Sequence, residues 1–134
     1  MADYTSFNLL DVTVADGIAT TNITAPPMNV MTPDLFGQLA KFSAMVSVDD
    51  DVRVVVLRSA DPDFFIAHFD VSAIVEFPTD GEPERTTELR GFHLMCETFR
   101  TMPKATIAEI AGRAGGGGNE LAMSCDMRLS LIHI

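Results

Sequence analysis

Four consecutive glycines, Gly115-Gly116-Gly117-Gly118, stand between a strand-like run from Lys104 to Ala111 and a helix starting at Gly117 that carries Leu121-Ala122-Met123-Ser124-Cys125. A chain without Cβ atoms at four successive positions turns there, and its backbone can be approached closely. The N–H groups lie at a helix N-terminus, where unsatisfied donors and the macrodipole favour negative charge. Glu120 follows within one turn, so amide donors would sit beside a proton-transfer group. Two readings stay open at this point: a catalytic turn, and a turn whose glycines only permit close packing. A phosphate-binding loop fits worse, because no Lys-Ser/Thr follows the glycines and no G-x-G-x-x-G spacing can be read across them.

A second segment narrows the choice. Val52 to Ser59 is a continuous apolar run rich in β-branched residues, the pattern of a buried strand. It enters the turn signal Ala60-Asp61-Pro62-Asp63 and then Phe64-Phe65-Ile66-Ala67-His68-Phe69-Asp70. With Ile110-Ala111-Gly112-Arg113-Ala114-Gly115-Gly116-Gly117-Gly118-Asn119-Glu120, this chain resembles the enoyl-CoA hydratase/isomerase (crotonase) superfamily. In that family the two loops read approximately F-x-A-G-x-D and I-x-G-x-x-x-G-G-G-x-E. The first is matched at Phe65, Ala67 and Asp70, with His68 where the family has glycine. Pro27-Met28-Asn29-Val30-Met31 and Met102-Pro103-Lys104-Ala105-Thr106-Ile107 resemble two further landmarks in the family's order, and the resemblance covers roughly residues 7 to 130.

The resemblance implies an α/β fold, the N-terminal portion of a crotonase-like ββα spiral, with residues 1–134 forming a partial acyl-CoA-binding domain. It implies that two backbone N–H groups, those of Phe69 and Gly117, polarise a thioester carbonyl, with Ala67, Phe69, Asp70, Gly116 and Gly117 contacting substrate. Donors aimed at a developing enolate stabilise the transition state more than the ground state, and losing one typically costs about 2.7–4 kcal/mol of barrier. Glu120 matches a family acid/base glutamate, and partial desolvation beside Leu121 and Ala122 would suit it to proton transfer. The competing reading is a first-turn glutamate that complements the helix dipole. His68 is either a tolerated variant or a functional, catalytic imidazole lining the pocket. His93, without a companion, reads as structural.

Hydration in the family uses a second glutamate farther along than Ile134, and Leu129-Ser130-Leu131-Ile132-His133-Ile134 departs from the family's continuation. The expectation is a truncated sequence, inactive by itself, whose parent is an acyl-CoA hydratase or isomerase forming a homotrimer or a hexamer built as a dimer of trimers. The alternative is a non-catalytic CoA-binding or assembly module on the same scaffold. Coenzyme A enters as part of the acyl-CoA substrate, with no covalently bound cofactor and no metal site expected.

Nine basic against nineteen acidic residues give a net charge of −10. That balance disfavours a nucleic-acid surface, which needs a basic stripe, and leaves an anionic cofactor to backbone donors or a local basic patch. No secretory signal and no membrane-spanning run of roughly 20 apolar residues can be read, and a cytoplasmic location is the default. Cys96 and Cys125 lack metal or redox spacing and read as small buried hydrophobes.

The remaining segments place the elements. Phe7 to Val14 and Ile18 to Ile23 flank the hairpin signal Asp16-Gly17. Thr32-Pro33-Asp34 supplies a cap, a first-turn proline and a first-turn acid for a helix with Leu35, Leu39, Phe42 and Val46 inward. Thr79-Asp80-Gly81-Glu82-Pro83-Glu84 reads as a surface connection into a helix with Leu89, Phe92, Cys96 and Phe99 on one face, and a short strand is expected near Met127.

Overall fold

The computed structural model describes residues 2–82 and 85–131. Strands β1 (Leu10–Ala15) and β2 (Ile18–Ile23) form an antiparallel hairpin. Its turn residues Asp16 and Gly17 both take positive φ, 53° and 80°, the geometry that Asp-Gly turns favour. The first strand starts three residues later than the periodicity predicts. The N–H groups of Asn8 and Leu9 donate to the Gln38 side-chain oxygen, and the Phe7 ring packs edge-on against Phe42. The N–H groups just before Leu10 are thus taken up by a helix, while the Leu9 carbonyl still accepts from the Thr24 N–H at 2.9 Å.

That helix, α1 (Pro33–Ser47), begins as expected. The Thr32 hydroxyl accepts from the Leu35 N–H at 3.2 Å, with Pro33 and Asp34 in the first turn. Leu35, Leu39, Phe42 and Val46 are fully buried. The run from Val52 becomes β3 (Val54–Ser59), because the N–H groups of Arg53 and Val54 first donate to the Gly17 carbonyl. The chain continues through β4 (Phe64–Ile66), α2 (Val71–Val75), α3 (Gly91–Thr101), β5 (Ala105–Ile110), β6 (Arg113–Ala114), α4 (Gly117–Ser124) and β7 (Met127–Ser130).

One sheet has the order β1-β2-β3-β5-β7, and β4 pairs with β6 in a second, two-stranded sheet. All pairs after the hairpin are parallel. Parallel strands need crossovers, and α1, α3 and α4 supply them, giving the α/β architecture expected from the sequence. Helix α3 differs from its prediction. Leu89 lies before it and is exposed, while Met95 and Phe99 are its fully buried positions and Phe92 and Cys96 are half-buried. The inward stripe is therefore Phe92, Met95, Cys96 and Phe99, at spacings of three and four.

Residues 79–82 of the polar connection are exposed, and the expectation for Pro83 and Glu84 lies outside the described residues. So does that for residues 132–134; Leu131 still donates to the Ile110 carbonyl at 2.9 Å. Among the described residues no helix is long and apolar enough to cross a membrane.

Candidate active site

The first site loop is fixed from below by Asn29. This residue is buried and held at φ 50°, a left-handed conformation that asparagine tolerates better than most. Its side-chain oxygen accepts from the Ala25 N–H at 2.7 Å. Its amide nitrogen donates to the Ile23 carbonyl, the Ser59 hydroxyl and the Phe65 carbonyl. The end of β2, the end of β3 and β4 are thereby tied to one side chain. Beyond it, the chain from Ala67 to Asp70 runs parallel to Met28–Met31: Met31 N–H donates to the His68 carbonyl at 2.8 Å, and Asp70 N–H to the Met31 carbonyl at 3.0 Å. Asp70 then caps α2, its carboxylate accepting from the Ser72 N–H and hydroxyl at 2.9 and 2.6 Å. Those two bonds hold its carboxyl below the usual aspartate range, the hydroxyl contributing most.

The second loop, 112–118, lies against the first, and its glycines do different work. A Cβ on Gly118 would stand 2.5 Å from the Ile66 carbonyl oxygen, and one on Gly115 would collide with the Ala67 carbonyl oxygen. These two glycines therefore serve close packing, one of the two readings left open by the sequence. Gly115 N–H also donates to the Ile66 carbonyl at 3.0 Å. Gly116 takes φ 45° and ψ −123° as the cap of α4, a conformation essentially closed to other residues. Its Cβ position would lie 3.9 Å from the Phe69 nitrogen, and that of Gly117 3.7 Å from the Phe69 Cβ. Gly117 is buried at the first position of α4. Among the described residues no acceptor meets the N–H of Phe69 or of Gly117.

Both residues border a cavity of about 270 Å³ or its wall. The cavity is lined by Phe69, Ile74, Phe77, Phe92, His93 and Glu120. The Phe69 ring meets Phe92 edge-on at 6.0 Å and Phe77 at 6.5 Å, and a Cβ on Gly117 would reach within 3.4 Å of the Phe92 ring. A larger cavity of about 450 Å³ lies along residues 2–7 and β1 and contains none of the candidate residues; size alone does not mark the site.

Two expectations are corrected by the geometry, and at His68 one of the two open readings is favoured. Glu120 is exposed, because Leu121 and Ala122 point into the core while Glu120 turns outward beside the cavity; it is not desolvated by those neighbours. His93, read from the sequence as structural, is exposed and lines the same cavity. His68 has no positive φ, so the backbone at this position accepts a side chain without strain. Its ring nitrogen Nδ1 sits 2.7 Å from the Phe69 carbonyl oxygen, and the ring is absent from the cavity lining. The sequence also gave no signal for α2, whose Ile74 forms part of the lining together with Phe77 just beyond it. That helix is a single turn of five residues, too short for a periodic pattern to register.

The two cysteines behave as small packing groups. Burial pushes the Cys125 thiol up to about 12, with the Asp126 charge adding to it, and burial likewise raises half-buried Cys96.

A family model described as enoyl-CoA hydratase/isomerase matches residues 13–130. The chain is 32% identical over 116 residues to a peroxisomal fatty acid beta-oxidation multifunctional protein of rice, covering 87% of this chain and 16% of that one. It is 30% identical over 123 residues to a Bacillus subtilis protein named "Probable enoyl-CoA hydratase", covering 92% of this chain and 46% of its relative. Among solved structures it superimposes on Pseudomonas aeruginosa DspI with a TM-score of 0.79 at 30% identity, over 96% of this chain and 52% of that one. The chain thus spans about half the length of such relatives, or less.

Proposed function

The chain belongs to the enoyl-CoA hydratase/isomerase family, and from that premise we propose that it holds an acyl-CoA thioester with its carbonyl oxygen on the N–H groups of Phe69 and Gly117. Glu120 removes or delivers a proton at the carbon next to the carbonyl. Enolate charge builds on the oxygen as that proton leaves, and two donors fixed by the fold stabilise the charge without reorganising. Ala67 and Gly116 shape the approach, and Asp70 acts indirectly by capping α2. The apolar walls of the cavity take the acyl chain.

The observation that carries this reading is the interlock of the two loops. It leaves two N–H groups without an internal acceptor, one on each loop, beside a cavity that a carboxylate lines. Coenzyme A is needed only as part of the substrate. A cytoplasmic location, and a homotrimer or dimer of trimers for a protein of the relatives' length, belong to the same proposal.

The test is exchange of the α-protons of butyryl-CoA in D2O, followed by NMR. This half-reaction needs one base and the enolate donors and nothing more. Hydration, which in the family uses a second glutamate, is not expected of this chain by itself, whereas this half-reaction is, and Glu120→Gln should lower its rate by about 10²–10⁴-fold while binding of butyryl-CoA stays within a few-fold. Exchange unchanged in the variant removes Glu120 from the mechanism. Binding with no exchange even in the unsubstituted chain would favour a CoA-binding module, a reading to which the exposure of Glu120 lends weight.

A further inference from the structure

The two faces of the central sheet differ. Along β3, Val55 and Leu57 are fully buried and belong to the core, with Ala19 and Ile23 of β2 and Ala108 of β5. Alternation sends the side chains between them to the opposite face. There Val56 stands on the middle strand of five, with Ile107 of β5 beside it in register and Met127 of β7 beside Ile107. Val54, Val56 and Ile107 are partly buried, yet none of the three packs against the core. Ile18, Met127 and Leu129 on the same face are 41, 47 and 50% exposed. The continuous apolar run that marks β3 in the sequence is thus only half used by the core. Parallel strands of that composition are ordinarily covered on both faces, whereas among the described residues α1, α3 and α4 share a core with one face.

We infer that a second copy of this chain covers the open face, sheet against sheet, about a two-fold axis that passes near Val56. Two observations select this occupant. The first is size. At about 4.8 Å per strand and about 3.3 Å per residue, five strands make a face about 24 Å wide and about 20 Å long, on the order of 500 Å² in plan and more once side chains corrugate it. A helix is only about 10 Å across and would leave half of that width wet. A second sheet of equal width covers it at the usual separation of about 10 Å, and the area approaches the roughly 600 Å² per partner at which stable interfaces begin. The second observation is charge. The charged residues of this face are Asp11, Arg58 and Glu109, and Arg58 pairs with Glu109 at 2.8 Å. Asp11, on the outermost strand, is left as the single unbalanced charge in a chain of net charge −10, so two copies repel little across this surface. The contact is isologous, and Val56 of one copy meets Val56 of the other. It does not depend on the thioester reading.

Sedimentation equilibrium tests it at about 100 µM chain, because small interfaces hold in the micromolar range. The unsubstituted chain is expected to be a dimer. Val56→Glu and Val56→Lys each set like charges against each other across the axis. Each should be monomeric with an unchanged circular dichroism spectrum, and an equimolar mixture of the two should recover the dimer. If either variant loses its fold, Met127→Lys decides, since a half-exposed side chain has little packing to lose; it should raise the dissociation constant about tenfold or more. A monomeric unsubstituted chain overturns the inference and leaves the face to another occupant, such as a further segment of a longer protein. Dimers that persist in the charged variants overturn it too, assigning association to another surface. So does a mixture of the two Val56 variants that stays monomeric.

Discussion

At residue 68 the departure from the family's glycine has a physical explanation. Glycine is favoured where φ is positive, and His68 is not in that region. What the loop demands there is a carbonyl aimed at the Met31 N–H, and any residue supplies it. Replacing His68 by Gly should therefore cost only about 0.4–1 kcal/mol of stability, through the greater freedom of the unfolded chain. Butyryl-CoA exchange should remain within twofold, measured beside a urea melt. A large fall in exchange with an unchanged melt would move the imidazole into the chemistry. Residue 120 teaches the opposite lesson. The motif fixes where the carboxylate stands along the chain, but its surroundings depend on which side of α4 faces the core, and that follows from α3 and β4 packing against α4.

Among the elements, the glycine-rich turn is the most constrained. Gly118 is buried, and a methyl group there would meet the Ile66 carbonyl oxygen at 2.5 Å and its Cβ at 2.6 Å; neither is a flexible side-chain end. Forcing the two loops apart costs about 1–3 kcal/mol. Gly118→Ala should lower the thermal midpoint accordingly and weaken butyryl-CoA exchange, because the displaced segment Ile66–Phe69 carries one of the two proposed donors. An unshifted midpoint would mean that the loops are not packed as described. How much of this was legible depends on range. Helix α1 could be read completely, because its cap, first-turn proline and inward stripe are local in sequence. The loop pair was legible because glycines and a turn mark it. The start of β1 was not, since a glutamine 28 residues after Leu10 takes up the backbone before it. Nor was the face of α3, where Met95 rather than Leu89 turns inward, or the arrival of His93 and Glu120 at one cavity. Those outcomes come from packing between distant segments, which no spacing encodes.

For the whole molecule, the N-terminal segment is secured by one buried carboxylate. Asp49 accepts from the Ala2 N–H at 3.0 Å, the Tyr4 hydroxyl at 2.8 Å and the Asp51 N–H at 3.0 Å. These bonds, that from Ala2 foremost, hold the Asp49 carboxyl below its ordinary value of 3.8. Burial, followed by the Asp49 hydrogen bond, raises the Tyr4 phenol above its ordinary 10.0. A lowered acid contributes stability above pH 3.8 that is lost as pH falls through its folded value. A raised phenol contributes stability below pH 10.0 that is lost as pH climbs through its own. Thermal midpoints across this range should show Asp49→Asn less stable than the unsubstituted chain near neutrality, with the gap closing in acid. A gap that stays the same at every acid pH would assign the effect to packing.

Asn29 carries a consequence of the same breadth. One carboxamide engaged at four points makes the hairpin exit, the end of β3 and the first site loop a single joint with no independent hinge. Any displacement of Ser59 is passed through that joint to Phe65, and four residues later it changes the bearing of the Phe69 amide. The aim of the site is in this way geared to the frame of the central sheet.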